Sequence, residues 1–215
     1  MKIKNNYLAT VCTFIAFLLW TIAVSVIDVQ AIGPNGSSVG FAALNKYFHN
    51  LTGVNMTLYN ITDVIGIIPF LFVFGFMILG LVQLIQRKSL LKVDRNILVL
   101  GGFYVVVLVF YVLFEKVVIN YRPVLIDGNL EVSYPSSTTM LALCVIPTAI
   151  MQLNTRIKNT NLRKIVAYVL IALAVFMVVC RLISGVHWLT DIIGGILLSA
   201  GLVTLYSAVV RHFNN

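Results

Sequence analysis

Residues 165–210 read IVAYVLIALAVFMVVCRLISGVHWLTDIIGGILLSAGLVTLYSAVV, two apolar runs on either side of the polar segment Arg181-Leu-Ile-Ser-Gly-Val-His187-Trp-Leu-Thr-Asp191. A helix crosses a bilayer with about 20 mostly apolar residues, and each run is of that order. The segment between them is then expected to turn at a membrane surface, with Ser184-Gly185 as the break that brings Arg181 back toward His187. Charged Arg, His and Asp side chains are costly at such a place, which makes them candidates for function.

The same pattern extends along the chain. Of 215 residues, 60% are hydrophobic and 10% charged, and the mean hydropathy is +1.00, beyond what a water-soluble surface tolerates. Six apolar runs, at 7–27, 64–85, 97–119, 138–153, 165–183 and 189–210, predict an all-α integral membrane protein with six transmembrane helices in a single membrane domain over 1–215. The first run follows Lys2 and Lys4 but is too long for a signal-peptide core, and no Ala-x-Ala site follows it, so a retained anchor is expected. Pro69 and Pro147 are expected to kink spans two and four.

Fifteen Lys and Arg against seven Asp and Glu give a net charge of +8. Most of the cations lie between apolar runs, where they act as topology signals and not as a nucleic-acid patch. Lys2 and Lys4, then Arg87, Lys88, Lys92 and Arg95, then Arg156, Lys158, Arg163 and Lys164, and finally Arg211 fall on one side. That side is predicted to be cytoplasmic, with both termini, in a multi-pass protein of the plasma membrane. The other side holds only Lys46, Lys116, Arg122 and Arg181, against the rule, so these few cations need another reason to be there. Three cysteines, Cys12, Cys144 and Cys180, form no CxxC pair and have no His at metal-ligand spacing, which speaks against a disulfide framework and a zinc site.

The outer segment 30–61 contains the turn Gly33-Pro34-Asn35-Gly36 and, at helical spacing, Phe41, Leu44, Phe48 and Leu51. A helix on the outer leaflet and a packed re-entrant loop are both open readings. Asn35, Asn50, Asn55 and Asn60 each begin an Asn-x-Ser/Thr sequon, which matters only in a glycosylating secretory pathway.

Three outer segments carry chemistry. In the first, four residues advance a helix by about 400°, so His187 and Asp191 are expected to share a face. The carboxylate would then orient the ring and leave the other nitrogen as a nucleophile or base. A structural His–Asp pair is the bland alternative. The second, Lys116-Val-Val-Ile-Asn-Tyr-Arg122-Pro123, ends span three with two cations suited to phosphate, although snorkelling from a helix end would look the same. In the third, Tyr134-Pro135-Ser136-Ser137-Thr138-Thr139, hydroxyls open span four at a helix N-terminus, which suits an anion or a simple cap. Together they describe an oxyanion site with a histidine nucleophile.

These residues resemble the type 2 phosphatidic acid phosphatase superfamily of membrane lipid phosphatases, related to vanadium haloperoxidases. Its signature is Lys-x6-Arg-Pro, then Pro-Ser-Gly-His, then Ser-Arg-x5-His-x3-Asp, and the pattern here runs from about Ile97 to the C-terminus, with Cys180 where the family has Ser. The resemblance implies that His187 attacks phosphorus, Asp191 orients it, and Arg122 and Arg181 hold the phosphoryl oxygens. Lys116, Ser136, Ser137 and Thr138 complete the expected phosphate site, and the implied mechanism needs no metal ion or other cofactor.

Two departures stand out. The family's lysine spacing falls on Glu115, with Lys116 one residue nearer Arg122, a change of direction of about 100° on a helix. Thr138 replaces the family's histidine, the acid for the leaving group, and a threonine hydroxyl is too weak an acid for that task. The expected partner is thus a lipid phosphate, with a polyprenyl diphosphate favoured because its leaving group is already a stable anion. A lipid phosphotransferase, and a weak or inactive member that binds or transports head groups, are the alternatives. Neither the lipid chain nor the oligomeric state is legible in the sequence.

Overall fold

A computed structural model of the chain describes residues 2–213, with side chains from Asn6 onward, so the side chains of Lys2 and Lys4 lie outside the described residues. The described residues form eight α-helices and no strand: α1 (Lys2–Val26), α2 (Ala42–Thr52), α3 (Met56–Ile65), α4 (Ile67–Arg87), α5 (Arg95–Lys116), α6 (Ser137–Arg156), α7 (Thr160–Ile183) and α8 (Leu189–Phe213). Six segments are long and apolar enough to cross a membrane: Asn6–Val26, Met56–Arg87, Arg95–Lys116, Ser137–Arg156, Thr160–Ile183 and Leu189–Phe213.

The second of these differs from the expectation of 64–85. It includes α3, which the sequence reading left in the outer segment, because Asn55 begins a helix there: its side chain accepts the Leu58 N–H at 3.0 Å. Asn55, read as a sequon, is thus an N-cap. Pro69 falls in the first turn of α4, three residues after Gly66, where span two breaks between α3 and α4, and its missing N–H costs no hydrogen bond there. Pro147 lies inside α6, which continues to Arg156.

The core is built around α6 and α8, the two most buried spans. Helix α1 runs along α8, with the Phe14 ring against Gly201 and the Trp20 indole donating to the Thr190 carbonyl at 3.1 Å. Helix α5 meets α8 through Phe103 and Tyr206, whose ring centroids lie 5.1 Å apart. Most other outward faces of α1, α4, α5 and α7 remain apolar and exposed, among them Leu19, Leu71, Leu108 and Val169, as a lipid-facing surface requires.

At one end of the bundle the segments 27–66, 117–136 and 184–188 interlock. Helix α2 docks there instead of lying free: Asn45 is fully buried and donates to the Gly40 carbonyl at 2.8 Å and to the Thr190 hydroxyl at 2.9 Å. Leu44 and Leu51 still face outward. Gly185 adopts φ +66°, and a Cβ there would run into the Gly53 carbonyl. Gly185→Ala is accordingly expected to cost at least about 1–2 kcal/mol from the backbone alone, measurable as a lower midpoint of thermal unfolding in detergent.

Candidate active site

Helix α8 starts only at Leu189, so His187 precedes it and Trp188 is its N-cap residue. Asp191, three residues on, reaches back to accept the Trp188 N–H at 2.9 Å, one half of a capping box. Helical i, i+4 geometry therefore does not apply to His187 and Asp191. Their side chains approach to 3.8 Å without the expected direct hydrogen bond.

Ser133, from the segment between α5 and α6, fills the gap. Its hydroxyl donates to Asp191 Oδ2 at 2.5 Å and lies 3.0 Å from His187 Nδ1. With the hydroxyl proton committed to the carboxylate, the Ser133 oxygen accepts from Nδ1–H. This assigns the tautomer and leaves the lone pair on Nε2. Asn120 supports the same carboxylate, donating to Oδ1 at 3.1 Å. The main chain closes the frame: Ser133 N–H donates to the Asn120 carbonyl at 2.9 Å and Ser136 N–H to the Asp191 carbonyl at 3.0 Å.

Nε2 faces Arg122 Nη1 at 3.2 Å. Burial, then the charges of Arg122 and Arg181, hold the imidazole well below its ordinary pKa of 6.5, opposed by a hydrogen bond to the Ser133 backbone. The ring is thus neutral near pH 7, the state a nucleophile needs. Arg122 is itself buried, with Nε 3.0 Å from Glu131 Oε2. Arg181, 2% exposed, is turned toward α3, where it donates to the Thr62 hydroxyl at 3.1 Å and lies 3.7 Å from Asp63. The two guanidiniums share one aromatic neighbour, standing 5.8 Å (Arg122) and 4.4 Å (Arg181) from the Tyr59 ring centroid.

The other expected ligands divide. Ser137 lines a small cavity beside His187. Ser136 is buried, its hydroxyl oxygen accepting the Thr139 N–H at 3.5 Å as the N-cap of α6. Glu115 and Lys116 are both exposed, but only Glu115 lines the cavity, because one residue of helical register turns the lysine another way. Thr138 lines a second space, a groove of about 1020 Å³ walled by α4 and α5 over α6. Its polar end, at Tyr111, Ser137 and Thr138, adjoins the cavity, and apolar side chains such as Val73, Leu84 and Leu108 line most of the remainder, with Asp63 also on its wall.

Residues 114–214 match the sequence model of the PAP2 superfamily. The fold agrees: it is similar to the crystal structure of the transmembrane PAP2 type phosphatidylglycerolphosphate phosphatase from Bacillus subtilis, with a TM-score of 0.67 at 19% identity over 94% of this chain and 96% of that one. No curated protein matches the chain. The matched segment holds His187, Arg122, Ser133 and Asp191, while Tyr59, Thr62 and Asp63, which contact Arg181, lie outside it.

Ser133, Asn120 and Tyr59 escaped the sequence reading. Ser133 stands one residue before the segment that begins at Tyr134, and Asn120 lies within Lys116–Pro123, a stretch read only for its cations. Ser133→Ala removes the hydroxyl beside His187 Nδ1 and one donor from Asp191, a cost of about 1–3 kcal/mol for buried groups. The expected result is a lower unfolding midpoint together with reduced turnover. Unchanged values of both would exclude the bridging role.

Proposed function

We propose that this PAP2 protein is a membrane lipid phosphatase that transfers a phosphoryl group from a lipid phosphate or diphosphate to His187 and then to water. The observation that carries the reading is the orientation of His187, with Nε2 toward Arg122 and Nδ1 tied through Ser133 to Asp191. In the first step Nε2 attacks phosphorus, the P–O bond to the lipid portion breaks, and the leaving oxygen keeps the electron pair. Arg122 passes from Nε2 to the phosphoryl oxygens, and Arg181 supplies a second cation nearby. Asp191 and Ser133 hold the ring and offset the positive charge it gains. The guanidiniums supply the charge stabilisation, so turnover in the presence of a chelator is expected, as is inhibition by vanadate, which mimics five-coordinate phosphorus.

The groove and its polar end support a lipid substrate. About 1020 Å³ of apolar space suits a lipid chain, and its head would lie at Ser137 and Thr138. Thr138 is too weak an acid to protonate an alkoxide. A leaving group that is already a phosphate anion avoids this need, which favours a polyprenyl diphosphate. The cation-rich connections Arg87 to Arg95 and Arg156 to Lys164 lie at the opposite end of the bundle from His187, which supports an extracytoplasmic site in the plasma membrane.

Purified protein given polyprenyl diphosphate, polyprenyl monophosphate, phosphatidic acid and phosphatidylglycerolphosphate should release inorganic phosphate, fastest from the first. No release from any of them would overturn the proposal. It would leave head-group binding without turnover, the reading that Thr138 favours.

A further inference from the structure

Beside His187 lies a cavity of about 20 Å³, lined by Glu115, Ser133, Ser137 and His187, with Tyr111 and Phe114 among its aromatic walls. That is room for about one water molecule, and a water held in such a space needs two to four polar partners. The side chains of Glu115, Ser133 and Ser137 can supply them. Glu115 stands at the sequence position where the PAP2 signature has lysine, so an anion replaces a cation next to the reacting histidine. An ionised carboxylate there repels a phosphoryl group and does nothing for substrate binding. It is, however, the group type needed to take a proton from water, a task that Thr138 cannot perform.

We propose that Glu115 is the general base of the second half-reaction and that the cavity holds the hydrolytic water. The inference rests on the phosphohistidine reading above. Water oxygen attacks the phosphorus on Nε2, the P–N bond breaks, and its electron pair returns to the ring. The water proton passes to a Glu115 carboxylate oxygen, and inorganic phosphate leaves. The first half-reaction makes no use of Glu115 when the leaving group is a phosphate anion. The chain thus lacks an acid for the first step and carries a base for the second.

Rapid-quench measurement with terminally 32P-labelled polyprenyl diphosphate separates the two steps. In Glu115→Gln, which keeps shape and removes basicity, phosphoenzyme should form within a few-fold of the normal rate and then break down about 10²-fold more slowly, the lower end of general-base effects. Labelled protein should therefore accumulate. Hydroxylamine, a nucleophile that attacks without losing a proton first, should restore breakdown in this variant. Glu115→Lys, which installs the residue of the family pattern, should also accumulate phosphoenzyme. If Glu115→Gln turns over normally with no accumulation, or Glu115→Lys turns over faster than the parent, the base assignment is wrong while the phosphohistidine stands. If neither parent nor variant ever carries label on His187, the phosphatase reading itself falls and takes this inference with it.

Discussion

His187→Ala is expected to abolish phosphate release, with a loss of at least about 10⁴-fold, the scale seen when an enzyme loses a nucleophile that acts as part of a unit. The neighbouring carboxylates do not replace it: Asp191 is fully buried, with its oxygens taken by Ser133, Asn120 and the Trp188 N–H, and Glu131 is paired with Arg122 Nε at 3.0 Å. The Ser133 hydroxyl keeps its bond to Asp191 in the variant, so the loss should not come from unfolding. A normal unfolding midpoint would check this. Asp191→Asn should behave differently, lowering both activity and stability, since an amide must turn its own NH2 toward at least one existing donor. A fully active His187→Ala protein would remove the proposed mechanism.

The second large effect concerns the leaving group. The parent protein should hydrolyse a polyprenyl diphosphate much faster than the matching monophosphate, and Thr138→His should narrow that gap by accelerating the monophosphate about 10²-fold or more, the range of general acid catalysis. Thr138 lies at the polar end of the groove, on the side where the departing lipid oxygen would lie, so a histidine introduced there is placed to donate a proton. Saturating substrate is needed, because the diphosphate also binds more strongly through its extra charge, and only the rate at saturation is free of that difference. Equal parent rates on both substrates would show that another group supplies the proton.

The spans were legible because a bilayer demands a local property, some 20 apolar residues in a row. Helix α3 was missed for the complementary reason: Met56–Ile65 is polar enough to pass for a loop, and its helical state depends on the Asn55 cap and on packing against α7. In the site, residue types alone pointed to Arg122, Arg181, His187 and Asp191. The geometry among them was not legible. Counting four residues from His187 to Asp191 presumes one helix, and α8 begins after His187.

By itself, then, the sequence determined that this is a six-span helical membrane protein with cations and an imidazole gathered at one surface, since hydrophobic runs and residue identities are properties of the chain alone. Tertiary structure decided how those groups act. It inserted Ser133 between His187 and Asp191, turned Arg181 toward Thr62 and Asp63, and set Glu115 instead of Lys116 beside the cavity. Each of these depends on how the segments 27–66 and 117–136 dock on the start of α8. That docking rests on contacts between residues far apart in the chain, such as Ser133 with Asp191 and Asn45 with Thr190, whose pairing no local spacing encodes.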